Sequence, residues 1–217
     1  MELYHVLNRG VDKRRIFMDD GDRVRFVHDM FEFNDTQAAT NTLRRMEMND
    51  FVSRSFRESI VEIHGWCLMP NHYHLLISEV AEGGLTLFIR RLNIGYAKFF
   101  NDKYKREGAL FQGRTKKIQI TSDPHFLHIL HYIHLNPLDL QESSKAWREL
   151  RVTDARDALQ HLDGYRWSSF LDYCERKNFP SIIATELFKD VFRNYRKSIQ
   201  TYLKDIELSD IRPLLLE

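Results

Sequence analysis

Several things that would each announce a function class are scarce in this chain. Its two cysteines, Cys67 and Cys174, are too few for a disulfide framework or a four-thiolate zinc site, and such sparing use fits a reducing compartment. No apolar run approaches the ~18 residues of a membrane-spanning helix, and the opening MELYHVLNRG lacks the layout of a secretory signal. A soluble, cytoplasmic protein is therefore the expectation. Net charge is nearly absent too: 32 Lys and Arg against 31 Asp and Glu give +1. Total charge thus points to neither nucleic acid nor membrane, and any electrostatic attraction must be local. Internal repeats and low-complexity tracts are missing as well. What the chain has is bulk. With 217 residues, 43% of them hydrophobic, it can bury a full core as one large domain or a domain with a helical extension.

The pattern along the chain predicts an α+β fold. ELYHVLNRG alternates and stops at Gly10, as a strand entering a turn does. FMDDGDRVRFVHDMFEF has helical spacing with acidic residues at its start. Residues 34–57 are polar and weakly periodic, equally compatible with a loop or a short helix. From Ile60, two β-rich runs flank Met69-Pro70-Asn71 and predict an antiparallel hairpin. LTLFIRRLNIGYAKFFNDKYKR follows as an amphipathic helix with one basic face, and GALFQGRTKKIQIT as a strand. In SDPHFLHILHYIHLNP, Ser122 or Asp123 can cap a helix, Pro124 suits its first turn and Pro137 ends it. This order predicts a ferredoxin-like antiparallel sheet covered on one face by helices. Beyond Leu138, SSKAWRELRVTDARDALQHL and IIATELFKDVFRNYRKSIQTYLKDIEL are expected as helices.

Within WCLMPNHYHLL, His72 and His74 lie at i and i+2 of a strand, so both imidazoles face the same way and can meet one cation. A His-x-His pair alone is weak testimony, because most such pairs pack or bond to solvent. The helix HFLHILHYIHLNP adds to it. Phe126, Ile129, Leu130 and Ile133 form an apolar stripe, leaving His125, His128, Tyr132 and Asn136 aligned along a second face. If that face looks onto the histidine strand, Asn136 supplies an oxygen as third ligand and Tyr132 hangs its phenol beside the metal. Two nitrogens and an amide oxygen leave positions open for phosphate and water, which suits Mg²⁺ or Mn²⁺ better than a closed structural zinc. The competing reading makes Tyr132 an interface tyrosine and Asn136 a helix-end cap.

Charge is concentrated nearby. Arg90, Arg91, Lys98, Lys103, Lys105, Arg106, Arg114, Lys116 and Lys117 stand against Asp102 and Glu107 alone, a local charge of about +7. A polyanion is the natural partner, and the interleaved Tyr96, Phe99, Phe100, Tyr104 and Phe111 are of the kind that stacks on bases of a single strand. A merely solvated helix face is the alternative.

Taken together, YHVLNRGVDKRRIF, HGWCLMPNHYHLLI, GALFQGRTKK, HYIHLNP and YRWSSF resemble the REP-associated tyrosine transposases, relatives of the single-tyrosine HUH transposases of small bacterial insertion sequences. The resemblance runs from about Tyr4 to Tyr173. It implies a catalytic HUH domain over 1–175 with a helical extension over 176–217, a divalent ion held by His72 and His74, Tyr132 as nucleophile and Asn136 as third ligand. His128, one turn before Tyr132, is a candidate proton acceptor. The bulky middle residue of the motif is Tyr73, expected to face the core from the opposite side of the strand. The implied substrate is a single-stranded DNA hairpin, cut through a 5′-phosphotyrosine and rejoined by a 3′-hydroxyl, by a monomer or a homodimer. One departure is Asp139, which stands where many relatives carry a basic residue, with consequences for local DNA contacts. Two other functions remain in view: a hairpin-binding protein that does little chemistry, and a metal-dependent phosphodiesterase that uses water.

Overall fold

The computed structural model describes residues 2–37, 57–149, 152 and 154–205. Most of the segment 34–57, and the chain beyond 205, lie outside the described residues. The alternating N-terminus forms β1 (Leu3–Arg9), and the acidic run after it forms the start of α1 (Asp20–Glu32). There Asp19 accepts from the Asp22 backbone N–H, and the Asp22 carboxylate accepts from that of Asp19, so two orphan donors are satisfied reciprocally. β2 (Val61–Met69) and β3 (His72–Glu79) pair across the two-residue turn Pro70-Asn71. α2 (Gly84–Lys103) and β4 (Lys116–Gln119) complete a sheet of order β2-β3-β1-β4, antiparallel throughout. This is the ferredoxin-like βαββαβ arrangement.

The pleat then sorts the side chains. Tyr73, Leu75 and Ile77 enter a core with Phe26, Phe88 and Leu92 from α1 and α2, while His72, His74 and Leu76 project the other way. Here one expectation is corrected, because helices cover both faces of the sheet. The second face is roofed by α3 (Asp123–Leu135), α4 (Ala155–Gly164), α5 (Phe170–Tyr173), α6 (Glu186–Lys189) and α7 (Tyr195–Asp205), which form a second core around Leu76, Leu130 and Trp147. The cause is visible in β2 and β3, buried at nearly every position. Cys67, Met69 and Leu76 make their second face apolar as well, and it must be hidden from water. Gly65 lets α3 come close: a Cβ there would sit 2.8 Å from Leu130 Cδ1. The register slips beside it, between Ile63 and Gly65, as at a β-bulge.

The two late segments expected as helices are also broken up. The first becomes a 3-10 turn (Lys145–Glu149) followed by α4, and the second a 3-10 turn (Pro180–Ile182) followed by α6 and α7. The breaks let separate aromatics reach α3. Phe188 stacks on Phe126 at 4.7 Å, and Phe192 meets His131 edge-on at 4.7 Å.

His131 is the hinge pin of the α3–α7 contact. It stacks on Tyr195 and Tyr202, and its ring nitrogens bond to the Leu127 carbonyl and Ser198 Oγ, both at 3.1 Å. Burial pushes its pKa down to about 4. An unfolded histidine takes up its proton near pH 6.5, so between those values the unfolded chain binds more protons than the folded one. Stability therefore falls as pH drops through that window. Denaturant unfolding at pH 7 and pH 4.5 should show a loss of on the order of 2 kcal/mol from this residue, and His131→Gln should remove that part of the slope. An identical pH dependence in the variant would contradict the assignment.

Candidate active site

Three histidines and a tyrosine meet beneath α3. Leu7 of β1 lies opposite His74 of β3, which puts His5, two residues before Leu7, on the same face of the sheet. His5 Nε2 is 2.9 Å from His74 Nδ1, and the two rings stack at 5.1 Å. The His72 ring stands edge-on to His74 at 4.9 Å. From above, Tyr132 is edge-on to His74 at 5.8 Å and to His5 at 5.9 Å. Tyr73 faces the other core, where its hydroxyl donates to Asn93 Oδ1 at 2.8 Å.

The end of α3 is tied off by side chains. Asn136 opens a 3-10 turn (Asn136–Leu140), and its Nδ2 donates to the Tyr132 carbonyl at 2.8 Å. Its Oδ1 accepts from Arg148 Nη2 at 2.8 Å, a nitrogen that also reaches Asp139 Oδ2 at 2.8 Å. The Trp147 indole donates to Asp139 Oδ1 at 2.7 Å. Asp139 thus holds the 3-10 turn Lys145–Glu149 against the site, and the Arg148 guanidinium lies 5.1 Å from the centre of the Tyr132 ring, within cation–π range.

Hydrogen bonding sets the chemical state of the histidine pair. Asn71 Nδ2 donates to the Lys13 carbonyl at 3.3 Å, which turns its Oδ1 toward His72 Nδ1 at 2.6 Å. An amide oxygen only accepts, so the His72 proton sits on Nδ1 and the lone pair on Nε2. His74 Nδ1 shares its hydrogen bond with His5 Nε2, and in the tautomer where His74 is the donor its lone pair is likewise on Nε2. Ligating histidines are commonly held this way by a second layer of acceptors. Among the described residues, no group of three or more His, Cys, Asp and Glu is arranged to hold a metal. The donors offered here are two imidazole nitrogens, which leave the remaining coordination positions to oxygen from substrate or water, the kind of set an open catalytic site uses.

Of the remaining candidates, His128 is half-buried with its ring 5.2 Å from Tyr202 of α7, and burial lowers its pKa. The nine basic residues are not gathered into one patch. Lys103 is bonded to Asp19 and Asp22 at 2.8 and 2.7 Å, Lys105 pairs with Asp102, Arg106 donates to Asn101 Oδ1, and Arg91 donates to the Asp35 carbonyl. Arg90, Lys98, Arg114, Lys116 and Lys117 are exposed. Arg90, Arg114 and Lys117 line one cleft of ≈440 Å³ between α2 and β4. Lys116 lies opposite Leu7, on the histidine face.

A family model described as "Transposase IS200 like" matches residues 26–136, half of the chain and a span that contains His72, His74, Tyr132 and Asn136. The chain belongs to the IS200-like transposase family. Membership makes it a DNA-processing protein of transposition. Among solved structures, a REP-associated tyrosine transposase bound to a REP hairpin is similar over 84% of each chain, at 13% identity and a TM-score of 0.45. No curated protein matches. No described helix of this transposase is long and apolar enough to cross a membrane. His5 and Arg148 lie outside the matched span, and sequence reasoning missed both. His5 was within reach, since it alternates with Leu3 and Leu7 in a quoted motif. Arg148 gave no signal, because it reaches Tyr132 only through a tertiary contact.

Proposed function

We propose that this transposase is a metal-dependent single-stranded DNA endonuclease and strand transferase that acts on hairpin DNA with Tyr132 as nucleophile. The observation that carries the reading is the packing of the Tyr132 ring against His74 and His5, with His72 alongside. His72 and His74 would hold Mg²⁺ or Mn²⁺ through Nε2, with Asn136 the candidate for an oxygen ligand once Arg148 releases it. When bound, the ion supplies Lewis-acid stabilisation of charge on a non-bridging phosphate oxygen.

The rest is work for the chain. A free phenol has a pKa near 10, so Tyr132 needs help to react at neutral pH. His128, one turn before it on α3, is the candidate to take the proton. The phenolate oxygen attacks phosphorus, the bond to the 3′-oxygen breaks, and that oxygen leaves as a 3′-hydroxyl after taking a proton. One phosphodiester replaces another, so a 3′-hydroxyl can reverse the step, which is strand transfer rather than hydrolysis. Tyr132, His74 and Asn136 have no solvent exposure. The reading therefore requires the Trp147–Arg148 layer to lift when DNA arrives.

The test is to incubate the protein with a hairpin bearing single-stranded flanks and Mg²⁺ or Mn²⁺, then look on a denaturing gel for a protein–DNA adduct on the 5′-phosphate side. Binding without an adduct across several hairpins would leave a hairpin-binding protein instead. His5 has a prediction of its own. His5→Leu should weaken Mn²⁺ binding in calorimetry by about 10-fold or more while hairpin affinity in chelator stays put. His5→Gln, whose amide oxygen can still accept from His74, should recover most of the loss. Equal Mn²⁺ affinity in all three proteins would remove His5 from the site.

A further inference from the structure

Beside His72 a cleft of ≈400 Å³ opens to solvent, walled by Arg9, Lys13 and Arg15 on one side and by Met69 and Asp139 on others. Arg9 ends β1, and Lys13 and Arg15 come from its connection to α1, all outside the basic segment 90–117. Lys13 and Arg15 are exposed. The carboxylate in the wall is already bonded to Arg148 and Trp147, so an anion entering the cleft meets a net positive surface.

The connection is held firmly in place. Gly10 N–H donates to the Asn71 carbonyl at 2.8 Å, and Ile16 and Phe17 N–H donate to the Pro70 carbonyl at 2.8 and 3.1 Å. Gly10 is required at the bend, since a Cβ there would lie 2.3 Å from the Arg14 carbonyl oxygen. Asp12 and Lys13 sit at φ 54° and 57°, a left-handed conformation that costs free energy in residues of these types and persists where the surroundings impose it. Most telling is a relay of two hydrogen bonds. Asn71 donates to the Lys13 carbonyl and accepts from His72 Nδ1, so the cationic loop and the histidine are fastened to one amide.

We infer that this cleft is a phosphate subsite, in which Lys13 and Arg15 hold the sugar–phosphate backbone of the single strand flanking the cut site. Among the site residues, His72 is the one that lines the cleft, so a strand lying there has its next phosphate delivered toward the histidine pair. This rests on the proposed function, although its test reads binding rather than cleavage.

The experiment measures anisotropy of a labelled hairpin, with and without a single-stranded tail, in chelator and over a range of salt, for the wild type, Lys13→Gln/Arg15→Gln and Arg15→Glu. The tail should raise wild-type affinity, and the double variant should lose about tenfold on the tailed hairpin while binding the blunt hairpin as before. Its slope of log affinity against log salt should fall by about 1.4, the value for two single-strand phosphate contacts. Arg15→Glu, which changes the charge by as much as the double variant, should lose a comparable amount on the tailed hairpin. The subsite is overturned if the tail adds nothing to wild-type binding, or if both variants keep the tail's contribution. It is equally overturned if blunt and tailed hairpins weaken alike. Adduct formation, run in parallel, separates the two ideas: a tail effect without any adduct keeps the subsite and removes the transferase, and an adduct without a tail effect does the reverse.

Discussion

Tyr132→Phe should abolish the covalent protein–DNA adduct, by on the order of 10³-fold or more, and leave hairpin affinity within about twofold of wild type. The substitution removes one oxygen and keeps the ring that packs against His5, His74 and Trp147, so the fold should survive, as a thermal melt will show. Each competing function gives its own result. A phosphodiesterase that uses water would keep cutting in the variant, in a metal-dependent way. A binding protein would show no adduct in either form, and Tyr132→Phe would change nothing. Persistence of a wild-type level of adduct would move the nucleophile to another residue, with Tyr202, set against His128, the first to examine.

The second large effect concerns the histidine pair. His72→Ala and His74→Ala should each reduce adduct formation by on the order of 10²-fold or more, since each removes one of two nitrogen donors from an open site. Calorimetry should show weakened Mn²⁺ binding in both, with hairpin affinity in chelator unchanged. The two variants should differ in stability. His74 is fully buried and bonded to His5, whereas His72 retains slight exposure and lines a cleft that its removal would only widen. His74→Ala therefore leaves a cavity and an imidazole that has lost a partner, and should cost about 1–3 kcal/mol. His72→Ala should cost less. If both alanine variants form the adduct as the wild type does, the metal reading fails even with Tyr132 confirmed. Retained activity in His72→Ala alone would reduce the site to His74.

The pair at 72 and 74 was legible because a strand has a side-chain period of two, so i and i+2 share a face wherever the strand lies. Tyr132 and Asn136 were legible for the parallel reason in a helix. What could not be read was what sits next to them. His5 reads only as one alternating position until β1 is known to pair with β3 in the register that puts Leu7 opposite His74. The fate of Asn136 is a similar case: the sequence allowed a ligand or a cap, and its contacts with the Tyr132 carbonyl and Arg148 are those of a cap in this arrangement. The basic segment shows the opposite failing. Its nine cations all fall between Arg90 and Lys117, yet Lys103 points into the carboxylates at the start of α1, while three cations elsewhere in the chain, Arg9, Lys13 and Arg15, converge beside His72.

By itself, the sequence determined the βαββαβ order, a hairpin turn within Met69-Pro70-Asn71 and the shared face of the two histidines. All of these depend on local dihedral preferences and short periodicities, which a chain carries with it. Tertiary structure alone decided that the second face of the sheet is roofed by α3 to α7, that the phenol is buried under Trp147 and Arg148, and that His5 holds His74. Those depend on strand register and on which apolar faces find each other, and neither is encoded within any one segment.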